Sequence, residues 1–135
     1  MKTRILEWHH IDLVVEGICR EIRASRKSYM AVCGITRGGL IPAVMLSHRL
    51  DIPMVPIAPE STSLDVFEDR PVLVVDEIYD TGKTINWFLA RYPVLDTAVL
   101  FSRPLLAPVT FKGYEVIGEE EWLVFPWERG EQDGT

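Results

Sequence analysis

The stretch from Val72 to Thr84, Val-Leu-Val-Val-Asp-Glu-Ile-Tyr-Asp-Thr-Gly-Lys-Thr, constrains what this chain can fold into more than any other. Its four leading aliphatic residues, mostly β-branched, read as a strand buried on both faces, and the acids Asp76 and Glu77 end the apolar run at a polar site. Asp80 to Thr84 supplies a turn, and Ile85 to Arg91 can be written as a helix. Strand, turn and helix in that order put free backbone N–H groups at the positive end of a helix dipole, where an anion can sit. Gly82-Lys83-Thr84 also matches the end of a Walker A loop, but that pattern needs a glycine where this chain has Glu77. Carboxylates beside a polyphosphate repel it unless a cation or sugar hydroxyls lie between. A ligand with a phosphate for the turn and a diol for the carboxylates fits better.

A second strand-turn-helix unit precedes the first. Tyr29 to Ile35 is an apolar run expected to form a central strand, and it empties into Thr36-Arg37-Gly38-Gly39. Leu40 to Leu50 then reads as a helix, with Pro42 near its first turn where proline is tolerated. Glycines let the backbone approach a ligand closely, and Arg37 offers a fork of donors suited to phosphate oxygens. A tight turn carrying a surface arginine is the plainer alternative for this loop alone. Two anion-type loops after parallel strands would place two anionic groups at one sheet edge. Phosphoribosyl pyrophosphate (PRPP) has such groups at both ends.

The remaining elements fit an α/β chain. Ile11, Val14, Val15, Ile18 and Ile22 recur at helical spacing, so about His10 to Ser25 is an amphipathic helix on a core. His9 and His10 have no partner at metal-binding spacing and are expected at the surface or at the helix start, with Trp8 as a packing anchor. Asp51 to Ile57 reads as a turn and a short edge strand. Ala58 to Arg70 is a polar connection, and Asp96 to Phe101 is a buried strand ending in Ser102-Arg103-Pro104. Lys112 to Gly118 and Glu121 to Glu128 suggest two further short strands, and 129–135 is a polar tail expected to fray.

Composition excludes several classes. At 135 residues the chain is expected to form one domain, large enough to bury roughly two-thirds of its unfolded surface. A net charge of −6 argues against a general nucleic-acid binder and makes any anionic substrate a local problem for Arg37, Lys83 and Arg103. Cys19 and Cys33 fall in apolar patterns and are expected as buried thiols, without a disulfide or metal-ligand spacing. The first residues lack an apolar signal core and no run approaches a membrane span, so a cytoplasmic protein without membrane partners is expected.

The Val72–Thr84 stretch resembles the PRPP-binding motif of type I phosphoribosyltransferases. Gly34-Ile-Thr-Arg-Gly-Gly-Leu-Ile-Pro42 is similar to the pyrophosphate loop of the bacterial xanthine–guanine members. By chain position Arg103 resembles the lysine with which purine phosphoribosyltransferases contact the exocyclic oxygen of a 6-oxopurine. Trp122 resembles the aromatic that stacks on the base, with Leu123 supplying the backbone beside it, and Phe125-Pro-Trp-Glu128 resembles the segment that follows. The likeness runs from about Trp8 to Glu128.

It implies a parallel β-sheet flanked by helices, five core strands with a small C-terminal hood, within a single domain 1–135: core about 8–102, hood about 103–128, tail 129–135. It also implies transfer of phosphoribose from PRPP to guanine, xanthine or hypoxanthine. Asp80 would handle the base proton, and Asp80, Thr81, Gly82, Lys83 and Thr84 would cradle the 5′-phosphate. Asp76 and Glu77 would hold the ribose, directly or through Mg²⁺. Thr36, Arg37 and Gly38 would hold pyrophosphate, and Arg103, Trp122 and Leu123 the purine. A homodimer or homotetramer is expected. One departure stands out: where the family carries a long mobile hairpin that closes over the site, this chain has only Ala58 to Arg70. A PRPP- or nucleotide-binding regulatory protein with little or no transfer is the alternative.

Overall fold

The computed structural model describes residues 2–103, 108–115 and 121–128, the last two residues of the middle segment by backbone only. The expected strand at 112–118 therefore falls partly outside the described residues, and the polar tail wholly so. The elements run β1 (Lys2–Ile5), α1 (Trp8–Ser25), β2 (Ala31–Ile35), α2 (Leu40–Leu50), β3 (Met54–Ile57), a 3₁₀ turn (Leu64–Phe67), β4 (Val72–Tyr79), α3 (Lys83–Arg91), β5 (Asp96–Ser102), β6 (Phe111–Glu115), β7 (Glu121–Val124) and a 3₁₀ turn (Pro126–Glu128).

Strands β3-β2-β4-β5-β6 form one sheet in that order, every pair parallel, as the α/β reading expected. Alternation along β4 explains why its apolar run is unbroken. Leu73 and Val75 face α1 and α2 with Ile11, Ile18 and Leu46, whereas Val72 and Val74 face α3 with Ile85 and Phe88. Cys19 lies in the first of these layers and Cys33 in the second, both buried. Burial pushes both thiols up, that of Cys33 to about 11.

Two findings depart from the sequence reading. Strand β4 does not stop at the acids but continues to Tyr79, because β5 is long enough to pair with it as far as Tyr79↔Ser102. Residues 2–5, for which no element was expected, form β1 and pair in parallel with β7. The small sheet above the main one thus draws on both ends of the chain, while β6 joins β5 in the main sheet.

The Ala58–Arg70 segment does not lie over the carboxyl ends of the strands. Leu64 is buried with Val72 and Phe88. Its N–H donates to the Tyr92 hydroxyl at 3.0 Å, beyond the far end of α3. Ser63 and Thr62 cap the segment's own turns by accepting from Asp65 N and Ala58 N. The segment is thereby fastened beside the amino ends of β4 and β5, where Leu64, Phe67, Val72 and Asp96 border one cavity. We predict that Tyr92→Phe, which removes the acceptor, costs about 1 kcal/mol locally. Hydrogen exchange should show faster exchange of the Leu64 amide with unchanged protection of the central sheet.

Candidate active site

In the order β3-β2-β4-β5-β6 the chain leaves β2 in one direction and returns to β4 on the other side. Ligands of open α/β sheets bind in the crevice where the order reverses, outside the carboxyl ends of the strands. Here that crevice lies between the loop after β2, residues 36–39, and the end of β4. Strand β2 pairs with β4 only as far as Gly34↔Val75. From Asp76 to Tyr79, β4 is bonded on one side only, to β5. The 36–39 loop packs into the place that β2 vacates, and its glycines are needed there. A Cβ at Gly39 would lie 2.4 Å from the Val75 carbonyl oxygen, and one at Gly38 would lie 1.0 Å from Glu77 Oε2. The Glu77 carboxylate therefore rests directly on the backbone of Gly38. The Thr36–Arg37 peptide bond in this loop is cis.

Among the described residues the acidic pair forms no ion pair with a cation. Asp76 is 7% exposed, and its Oδ1 accepts the Glu77 N–H at 2.9 Å. Burial raises the Asp76 carboxyl, offset in part by hydrogen bonds from the Glu77 side chain and backbone. Burial also raises Glu77, and the negative charges of Asp76 and Glu128 push it further up. Glu128 was not singled out from the sequence. It reaches this neighbourhood from the last 3₁₀ turn, where its Oε1 accepts the Phe125 N–H at 2.9 Å.

The turn after β4 is the second half of the crevice. Gly82 has φ 84°, a left-handed conformation that suits glycine, and α3 begins at Lys83. Residues Asp76 to Ile85 line a small cavity of about 130 Å³ at this helix start, where first-turn N–H groups lack intrahelical acceptors. The Tyr79 hydroxyl and Asn86 hydrogen-bond each other beneath Gly82 and buttress the turn. Neither residue carried a sequence signal, because both sit outside the Asp-Thr-Gly-Lys-Thr run they support. Thr36, Arg37, Thr81 and Lys83 are exposed at the rim, and among the described residues neither Arg37 nor Lys83 forms an ion pair.

Arg103 is placed differently from a free base-binding cation. Its Nε lies 2.8 Å from Asp80 Oδ1, and its terminal nitrogen donates to the Glu121 carbonyl at 2.6 Å. Its N–H donates to the Tyr79 carbonyl at 2.9 Å. The arginine thus ties the end of β5 to the turn after β4 and to the start of β7. Trp122 is 51% exposed, whereas Leu123 is buried. The structure therefore brings Asp76, Glu77, Asp80 to Thr84, Thr36 to Gly38 and Arg103 to one end of the sheet, with Trp122 exposed on the strand that Arg103 reaches.

Asp76 and Glu77 offer hard oxygen ligands, and the described residues contain no cluster of three or more potential ligands that would form a protein-only cage. That donor set fits Mg²⁺, which is commonly held by one or two carboxylates together with substrate phosphates.

A five-stranded parallel sheet in this order, with paired loops at the reversal point, is the type I phosphoribosyltransferase fold. No protein-family model matches the chain. Its relatives include the xanthine–guanine phosphoribosyltransferase of Cereibacter sphaeroides, 29% identical over 119 residues, spanning 75% of this chain and 70% of that protein. The solved purine phosphoribosyltransferase of Pyrococcus horikoshii is 29% identical with a TM-score of 0.76, covering 95% of both chains. The Helicobacter pylori xanthine–guanine–hypoxanthine phosphoribosyltransferase, at 19% identity and TM-score 0.75 over 97% of both, shares the fold. These relatives bear out the resemblance read from the sequence and support a purine phosphoribosyltransferase enzyme. Among the described residues no helix is long and apolar enough to cross a membrane.

The acid pair yields a pH prediction. The Glu77 carboxyl starts from 4.5 in its unperturbed state and is raised in the fold, so the unfolded chain ionises first as pH increases. Stability is therefore full below the unfolded value and declines as pH rises toward the folded one. Glu77→Gln should flatten the fall in melting temperature between pH 5 and pH 8. An equally steep fall in the variant would show that the acid pair is not its source.

Proposed function

We propose that the chain transfers the 5-phosphoribosyl group from PRPP to a 6-oxopurine base, guanine, xanthine or hypoxanthine, with release of pyrophosphate. One observation carries the reading: the loop 36–39 packs on β4 at Val75 and Glu77, and the Asp76–Glu77 pair in turn lines one cavity with the turn 80–84. Two anion-binding loops separated by a carboxylate pair match a sugar that bears a phosphate at one end and a pyrophosphate at the other.

In this reading Thr81, Gly82, Lys83 and Thr84 receive the 5′-phosphate with Asp80, through the first N–H groups of α3 and the lysine charge. Thr36, Arg37 and Gly38 receive the pyrophosphate. Asp76 and Glu77 face the ribose hydroxyls and would hold Mg²⁺, which when bound supplies charge neutralisation of the phosphates. The bond from the anomeric carbon to the pyrophosphate oxygen breaks with its electron pair leaving on oxygen. The purine nitrogen lone pair forms the new bond, and the proton of the base passes to the Asp80 carboxylate. Positive charge accumulates on the ribose in the transition state, and the carboxylates beside it stabilise that charge. Trp122 supplies an exposed π-face for the base, and the Leu123 backbone lies beside it.

The Arg103–Asp80 pair refines this assignment. A 6-oxopurine presents an acceptor oxygen next to a ring nitrogen, and these two atoms match a guanidinium donor and a carboxylate acceptor held side by side. The base would enter by exchanging the direct ion pair for one bond to each partner. An adenine, whose 6-amino group is a donor, would face the arginine with the wrong polarity.

The seat of the 58–70 segment favours a second reading. It is anchored at Tyr92 and does not cover the crevice, and transfer requires that water be kept from an electrophilic ribose. A PRPP- or nucleotide-binding regulatory protein needs no such cover. A cytoplasmic location and a homodimeric or homotetrameric state belong to the same proposal.

Incubation with PRPP, Mg²⁺ and each of guanine, xanthine, hypoxanthine and adenine tests these readings together. We expect nucleotide formation with the 6-oxopurines and a fall of about 10²–10⁴ in kcat for Asp80→Asn. Tight PRPP binding without product from any base would leave the regulatory reading. Preference for adenine would overturn the roles of Arg103 and Trp122.

A further inference from the structure

A cavity of about 310 Å³ lies on the α1 side of the sheet, between α1, the end of β5, β6 and the small β1–β7 sheet. Its apolar wall is Leu6, Leu13, Val14 and Phe101, and its polar groups are Arg4, His10 and Arg20. We propose that it is a binding site for a small flat anion, an aryl or heteroaryl phosphate or carboxylate. The proposal does not rest on the transferase reading.

The charge distribution is the first support. The chain carries a net charge of −6, yet among the described residues neither Arg4 nor Arg20 forms an ion pair. The acids on the other flank of the same helix are already engaged, Asp12 and Glu16 by Arg49, and Glu16 also by Arg23. His10 is oriented by the helix start: its Nδ1 accepts the Glu7 N–H at 3.1 Å, which leaves Nε2 to carry the proton of the neutral ring and to donate. Two arginine cations and an imidazole donor therefore border an apolar wall in an acidic protein.

Gly17 is the second and independent support. It sits in the interior of α1, where glycine costs about 0.5–1 kcal/mol relative to alanine. No crowding requires it. A Cβ there would meet only the Arg20 guanidinium, at 4.0 Å. Gly113 across the cavity is different, since its Cβ would lie 2.3 Å from Val14. The missing side chain at position 17 fills no packing need and leaves open the space between Arg20 and the apolar wall. A cavity of this volume falls in the range that small ligands occupy.

The site is separate from the base-binding surface proposed above. In the β1–β7 pair, Arg4 is in register with Leu123 and Thr3 with Trp122. Side chains alternate along a strand, so Arg4 and Leu6 project from one face of this sheet and Trp122 with Thr3 from the other.

Calorimetry with 1-naphthyl phosphate, with the imidazole resonances of His10 followed by NMR, tests the proposal on the intact chain. We expect saturable binding that shifts His10, with inorganic phosphate at least about tenfold weaker. Gly17→Leu should fill the space, leave the amide spectrum of the central sheet unchanged, and weaken the aryl phosphate by about tenfold or more. Arg4→Ala combined with Arg20→Ala should weaken it similarly and decides the matter if Gly17→Leu does not fold. Absence of a His10 shift, equal affinity for inorganic phosphate, or undiminished binding in the arginine double variant would each overturn the assignment.

Discussion

Strand β4 is hydrogen-bonded on both sides through Val75 and on one side from Asp76 to Tyr79, and the crevice at this end of the sheet exists because of that difference. Where β2 ends, the backbone of residues 36–39 moves in against β4 closely enough that Gly39 could carry no side chain. The overhang exposes one edge of a buried strand just where its sequence turns acidic. The carboxyls of Asp76 and Glu77 consequently share a mostly buried position with Glu128 nearby, and among the described residues no cation pairs with them. Such a site is electrostatically incomplete, and hydroxyl donors or a divalent cation would relieve it. Burial of the strand and readiness for a ligand thus come from the same register.

The ion pair between Arg103 and Asp80 links this crevice to the small sheet. Through the Glu121 carbonyl the same guanidinium reaches β7, whose next residue is the exposed Trp122. Loss of the arginine would therefore disturb both the orientation of Asp80 and the seat of β7, even if no ligand touched it. The segment 58–70 is distant from this linkage. Its buried Leu64 and its bond to Tyr92 oppose movement toward the crevice, and any cover for a reacting ribose must overcome those contacts or come from elsewhere.

The central layers were legible because they obey simple periodicities. Ile11, Val14, Ile18 and Ile22 mark α1 by helical spacing, and Val72 to Val75 marks a strand with both faces covered. The two loops were legible for another reason, since Thr36-Arg37-Gly38-Gly39 and Asp80 to Thr84 combine residue types that few turns need together. What escaped was non-local. Lys2 to Ile5 forms a strand only because β7 arrives beside it from the other end of the chain. The extension of β4 through Glu77 depends on the length of β5, and the proximity of Glu128 to Glu77 on the return of the last turn. The pairing of Arg103 with Asp80 is likewise a contact between separate strand ends, which composition and spacing do not encode.

The central claim is that the two loops act as halves of one site. Titration calorimetry comparing PRPP with ribose 5-phosphate, in Mg²⁺, for the native chain and for Arg37→Ala, tests it most directly. The account predicts that the native chain binds PRPP at least about a hundredfold more tightly than ribose 5-phosphate. It further predicts that Arg37→Ala weakens PRPP while leaving ribose 5-phosphate unchanged. Equal affinity of the native chain for both ligands, or an equal loss for both in the variant, would contradict it.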